Sequence, residues 1–152
     1  MDLIAGDTRE VLLALAVDDW LGLRDRGRFD AHLALGGGLD PTWLDLFSEA
    51  ARSVTGSAEP RDFIEARAEL EGPSDIGERT VERVDRTWVD AVARLSEHDL
   101  DRLAGRWIDL LEEEHGHLSS EEKPWIRELA GGLVAFARAA DEAPDVLFAW
   151  SI

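Results

Sequence analysis

The chain contains no cysteine. That absence removes thiol nucleophiles, disulfide staples and Cys-ligated zinc, and the cytoplasm is the expected compartment. Long apolar runs are missing as well. Nothing approaches the ~18 consecutive apolar residues of a membrane-spanning helix, and no charged-then-apolar leader opens the sequence. Positive charge is scarce: 16 Lys and Arg face 33 Asp and Glu, a formal charge of −17 over 152 residues, with no basic stripe. Nucleic-acid binding depends on cations that replace counterions along the phosphates, so DNA and RNA are not expected partners. The same repulsion opposes an anionic membrane surface or a polyanionic substrate. A basic protein, a small neutral molecule or a metal cation remains.

Frames for common catalysis are also lacking. There is no Gly-x-Ser-x-Gly elbow and no His-Glu-x-x-His. Gly36-Gly37-Gly38 lacks the Lys-Ser/Thr of a phosphate loop, and Asp40 stands where an anion would sit. Asp99-Leu100-Asp101 lacks the glycine and terminal Glu of a calcium loop.

What is present is an apolar content of 45%, enough for a core, in a chain of one-domain length. Residues 1–152 are therefore read as a single acidic domain. Helical periodicity dominates it. Asp7 with Glu10 opens a stripe of Leu13, Ala16, Val17, Trp20 and Leu21 that ends at Gly27. A short piece spans Phe29 to Leu35. Asp40-Pro41 starts a helix carrying Trp43, Leu44, Phe47, Ala51 and Val54, closed by Gly56. A short charged helix runs from Pro60 to Gly72-Pro73. From Ser74 or Asp75, the residues Val81, Val84, Trp88, Val92 and Leu95 keep a heptad-like spacing. Ser96 with Asp99, and Ser119 with Glu122, cap two further helices, the first ending at Gly116 and the second before Pro144. The expected fold is all-α: a compact helical bundle of four to five long helices plus short ones, with an extended apolar C-terminal tail.

Trp43, Trp88, Trp107 and Trp125 each begin the phrase Trp, apolar, charged, any, apolar. Positions i, i+1 and i+4 share a helical face, so the phrase reads first as core packing, with an indole-walled pocket as the alternative if the rings converge. In the tail, Val146, Phe148, Trp150 and Ile152 alternate with Leu147, Ala149 and Ser151, a period of two. An extended tail needs hydrogen-bond partners, found in the short Leu3-Ile4 segment or in another subunit's tail.

Ligand chemistry is concentrated in Glu112-Glu113-Glu114-His115-Gly116-His117. Glu112, His115 and His117 form a candidate Zn or Fe site, set against a plainer reading in which a histidine in a last helical turn is held by neighbouring acids and the helix dipole. His32 and His98 stand in no recognisable frame. The function expected is a non-enzymatic protein-interaction module without a cofactor. It binds another protein or a second copy of itself, through Val146, Phe148, Trp150 and Ile152 or through a Trp-bearing face. The alternatives are a metal-dependent enzyme with a Glu/His site and a small-molecule binder with a Trp-lined pocket.

Overall fold

A computed structural model describes residues 1–17, 29–36, 39–70, 75–76 and 79–151. Trp20, Leu21 and Gly27 of the first stripe, the Gly37-Gly38 turn, the Gly72-Pro73 break with Ser74, and Ile152 lie outside the described residues.

The chain is mixed α/β and not an all-α helical bundle. In order, the described elements are β1 (Asp2–Gly6), α1 (Thr8–Ala16), β2 (Ala31–Ala34), α2 (Thr42–Thr55), α3 (Phe63–Ala66), β3 (Arg67–Glu69) and β4 (Asp75–Ile76). β5 (Arg79–Val84), α4 (Arg86–Ala93), α5 (Glu97–His115), α6 (Glu122–Ala139) and β6 (Asp145–Ser151) follow. The strands form one antiparallel sheet in the order β2-β1-β6-β5-β3, and β4 shares the outer edge of β5 with β3. The two ends of the described chain are therefore neighbours at the sheet centre. Leu3 lies opposite Phe148 and Ile4 opposite Leu147, while on its other side β6 sets Trp150 against Thr80 and Phe148 against Glu82. The apolar chain end is extended, but it is a central strand and not a tail.

Both faces of the sheet are covered. Leu3, Ala5, Val84, Val146 and Phe148 point into the larger core with α2, α4, α5 and α6. Ile4, Val81, Leu147 and Ala149 point the other way, toward Val11, Ala14 and Leu15 of α1 and toward Phe29. This two-sided burial explains why the sheet escapes a periodicity reading. A strand covered on one face alternates apolar and polar residues, whereas a strand covered on both carries apolar residues at either parity. Val81 and Val84 face opposite sides, so their spacing of three imitates a helix, and the heptad-like run is in fact β5 followed by α4. The expected helix from Pro60 shrinks to the four residues of α3 before β3 begins. The piece from Phe29 to Leu35 contains β2.

Helix ends follow local chemistry. Asp7 accepts the Glu10 N–H, and Ser96 with Asp99 forms a reciprocal capping box. Ser119 and Glu122 exchange backbone-to-side-chain bonds of 3.2 and 2.7 Å. Gly56 ends α2 at φ 69°, a left-handed position that costs glycine little. In the larger core, Phe47 meets Trp107 edge to face at 5.1 Å, and Phe63 meets Trp88 at 5.0 Å and Phe148 at 5.1 Å. The buried Trp88 indole donates to Ser48 Oγ, which in turn donates to the Leu44 carbonyl, so neither polar group is stranded.

Candidate functional site

Five of the six tryptophans lie among the described residues. Trp88 and Trp107 are inside, 1% and 0% exposed, and Trp150 is partly buried. At one corner of the helical layer, where the start of α2, the end of α5 and the start of α6 come together, the partly buried Trp43 meets the exposed Trp125. Their ring centroids are 6.3 Å apart with planes at 62°, and the His115 ring lies 5.8 Å from Trp43, tilted by 31°. Trp125 is 40% exposed, Trp43 is half-buried and His115 is exposed.

Each member is fixed by its element. The Trp107 indole N–H donates to the Trp43 carbonyl at 2.9 Å, pinning the first turn of α2 onto α5. Gly36 sits behind Trp125 at φ +82°, a conformation L side chains rarely adopt. Asp40 accepts from the Thr42 N–H at 2.9 Å and from the Thr42 hydroxyl at 2.8 Å. Those two bonds, with a smaller contribution from the charge of His115, hold the Asp40 carboxyl below the usual carboxylate range. The corner thus combines two indole faces, an imidazole and a carboxylate that stays ionised.

The three candidate metal ligands do not share a point in this arrangement. Glu112 and His117 face each other, Oε2 to Nδ1 at 2.8 Å, and the second Glu112 oxygen lies 3.5 Å from the Lys123 ammonium. His115 stacks instead on Trp43. Desolvation, the largest single effect, works against the Glu112 anion, but the Leu118 N–H, the Lys123 charge and His117 together outweigh it and the carboxyl is lowered. Among the described residues, no group of three or more His, Cys, Asp or Glu side chains is placed to hold a metal ion. His32, in β2, is engaged elsewhere, with Nε2 2.9 Å from the largely buried Asp2 carboxylate; His98 is exposed at the start of α5. The four histidines do not converge.

Of the four tail residues, Val146 and Phe148 are 2% and 0% exposed, so their side chains serve this chain's own core. Trp150 is partly buried, and its indole N–H donates to Glu82 Oε2 at 2.8 Å. The same oxygen receives Arg67 at 3.1 Å. The Arg67 guanidinium lies 5.3 Å from the Phe63 and Phe148 ring centroids and 5.9 Å from that of Trp150. Only 11% of the Arg67 side chain is exposed. It is an internal cation among aromatic faces, in a segment whose composition reads only as a charged helix.

Sequence reasoning missed the pairing of Trp43 with Trp125. The short connection from α5 to α6 signals that His115 and Trp125 are neighbours, but Trp43 arrives from about 70 residues upstream and only the fold brings it there. No family model matches the chain, and no curated protein or solved structure matches it either.

Proposed function

We propose that this chain is a non-enzymatic protein-interaction module that docks its partner on the corner formed by Trp43, Trp125 and His115. The observation that supports this reading is Trp125, 40% exposed beside the partly buried Trp43 and the exposed His115, whereas Trp88 and Trp107 are in the core. Trp combines a large apolar face with a polar N–H and dominates binding hot spots. Among the described residues, grooves of about 310, 410 and 510 Å³ are walled mainly by charged residues and not by the indole faces a Trp-lined pocket needs. A second copy of the chain is the poorer occupant, because each copy carries −17. No helix among the described residues is long and apolar enough to cross a membrane, and the cytoplasm remains the compartment this reading assumes.

Photo-crosslinking from the full chain tests it. Glu128 is exposed one turn beyond Trp125, and benzoylphenylalanine at that position is irradiated in lysate of the source organism. The expected result is an adduct of discrete mass that excess unlabelled wild type suppresses and a Trp43→Ala/Trp125→Ala double variant does not. Absence of an adduct, or equal suppression by both competitors, contradicts the proposal.

A further inference from the structure

We infer that the corner recognises an arginine side chain presented by a basic segment of the partner, an inference that rests on the docking reading above and specifies its chemistry. Three observations carry it. The first is shape. The indoles of Trp43 and Trp125 meet edge to face at 62° and 6.3 Å, Trp125 is 40% exposed, and the face of an indole is the preferred aromatic seat for a cation. Among the described residues no Lys or Arg lies over Trp43 or Trp125, although such contacts occur elsewhere in the molecule.

The second is charge. Asp40 lies one turn before Trp43, whose N–H its carbonyl accepts, and its carboxylate is oriented by two bonds from Thr42 within reach of the His115 charge. Residues 112–128, which supply His115 and Trp125, carry six carboxylates against two cations. One of those cations, Lys123, is engaged by Glu112. Such a rim raises the local concentration of a basic segment and rejects an acidic one.

The third is an internal precedent. Arg67 lies among the rings of Phe63, Phe148 and Trp150, and its guanidinium meets the carboxylate of Glu82. The outer corner has parts of the same kind, aromatic rings with the Asp40 carboxylate near His115, and the partner would supply the guanidinium. A planar guanidinium stacks on an indole while forking to a carboxylate, which a lysine ammonium does not do. Arginine is therefore the better occupant.

Calorimetric titration of the full chain with a blocked, glycine-spaced peptide bearing two arginines tests this, alongside lysine and glutamine peptides of equal length. The arginine peptide should bind, the lysine peptide should bind several-fold more weakly, and the glutamine peptide should give no heat. Trp125→Leu keeps an apolar side chain but loses the aromatic face, and should weaken arginine binding about fivefold. Asp40→Asn keeps the acceptor for Thr42 but loses the charge, and should weaken it about threefold. Thermal melts of both variants should match wild type, which separates lost recognition from lost fold. Equal affinity for arginine and lysine peptides together with an unaffected Trp125→Leu variant would show attraction by net charge alone and overturn the inference. Failure of wild type to bind the arginine peptide also overturns it. If the crosslinked adduct is still competed by wild type in that case, the docking reading survives with a partner of other chemistry.

Discussion

Trp107 is fully buried and gives its N–H to the Trp43 carbonyl, while Trp125 leaves 40% of its surface in water. The same side chain therefore has different tasks at the two positions. Trp107→Ala should cost about 3–5 kcal/mol in urea unfolding, from lost burial and an unfilled cavity. Trp125→Ala should stay within about 1 kcal/mol of wild type, as surface changes do. Asp45 gives a prediction with a sign. Desolvation raises its carboxyl above the ordinary value, partly offset by the N–H of Ile64, which it accepts at 2.8 Å, and by Arg67, while Asp62 adds repulsion. A carboxyl raised on folding penalises the native state once ionised, and the penalty disappears as pH falls and the folded form takes up its proton. Asp45→Asn keeps the acceptor without the charge. It should raise the urea midpoint at pH 7 and lose that advantage below the carboxylate range, where paired titrations at the two pH values will show it.

Among elements, β6 decides the most. Its pairing with Leu3-Ile4 was one of the partners expected for an extended chain end, and β1 is that partner, but nothing in the sequence pointed to β5 on its other side, from where Val146, Leu147, Phe148 and Ala149 reach both cores. A chain truncated after Asp145 should lose cooperative thermal unfolding altogether; a tail serving only as an interface would leave a folded protein with a changed mass in light scattering. Helix caps such as Ser96 with Asp99 were legible because their bonds lie within four residues, and so was the period of two in the final segment. β1 and β5 were not. Two-sided burial erased their alternation, and the Val81, Val84, Trp88 spacing spans a strand and a helix while keeping helical arithmetic. The corner was half legible for the same reason: His115 and Trp125 flank the short connection from α5 to α6, but Trp43, the ring that touches both, arrives only through the packing of α2 on α5.

At the scale of the whole molecule, the chain carries 33 carboxylates against 16 cations, and its core uses the sheet as a partition. Several cations already sit in pairs, including Arg61 with Asp85, Arg52 with Asp62 and Arg67 with Glu82. Most of the described carboxylates outside these pairs are exposed, so self-repulsion should dominate the response to ionic strength. Melting at neutral pH should move upward as sodium chloride is added from low salt, because the Debye length shortens from about 30 Å at 0.01 M to about 8 Å at 0.15 M. An unchanged melting temperature would mean that the acids are too dispersed or too well paired to repel. That same field should speed the arrival of a basic partner at the Trp43–Trp125 corner. The most direct measurement is fluorine NMR of the full chain labelled with 5-fluorotryptophan, each of its six resonances assigned by substitution, before and after addition of the arginine peptide. The resonances of Trp43 and Trp125 should shift while those of Trp88 and Trp107 stay in place; unmoved corner resonances in the presence of bound peptide would contradict the account.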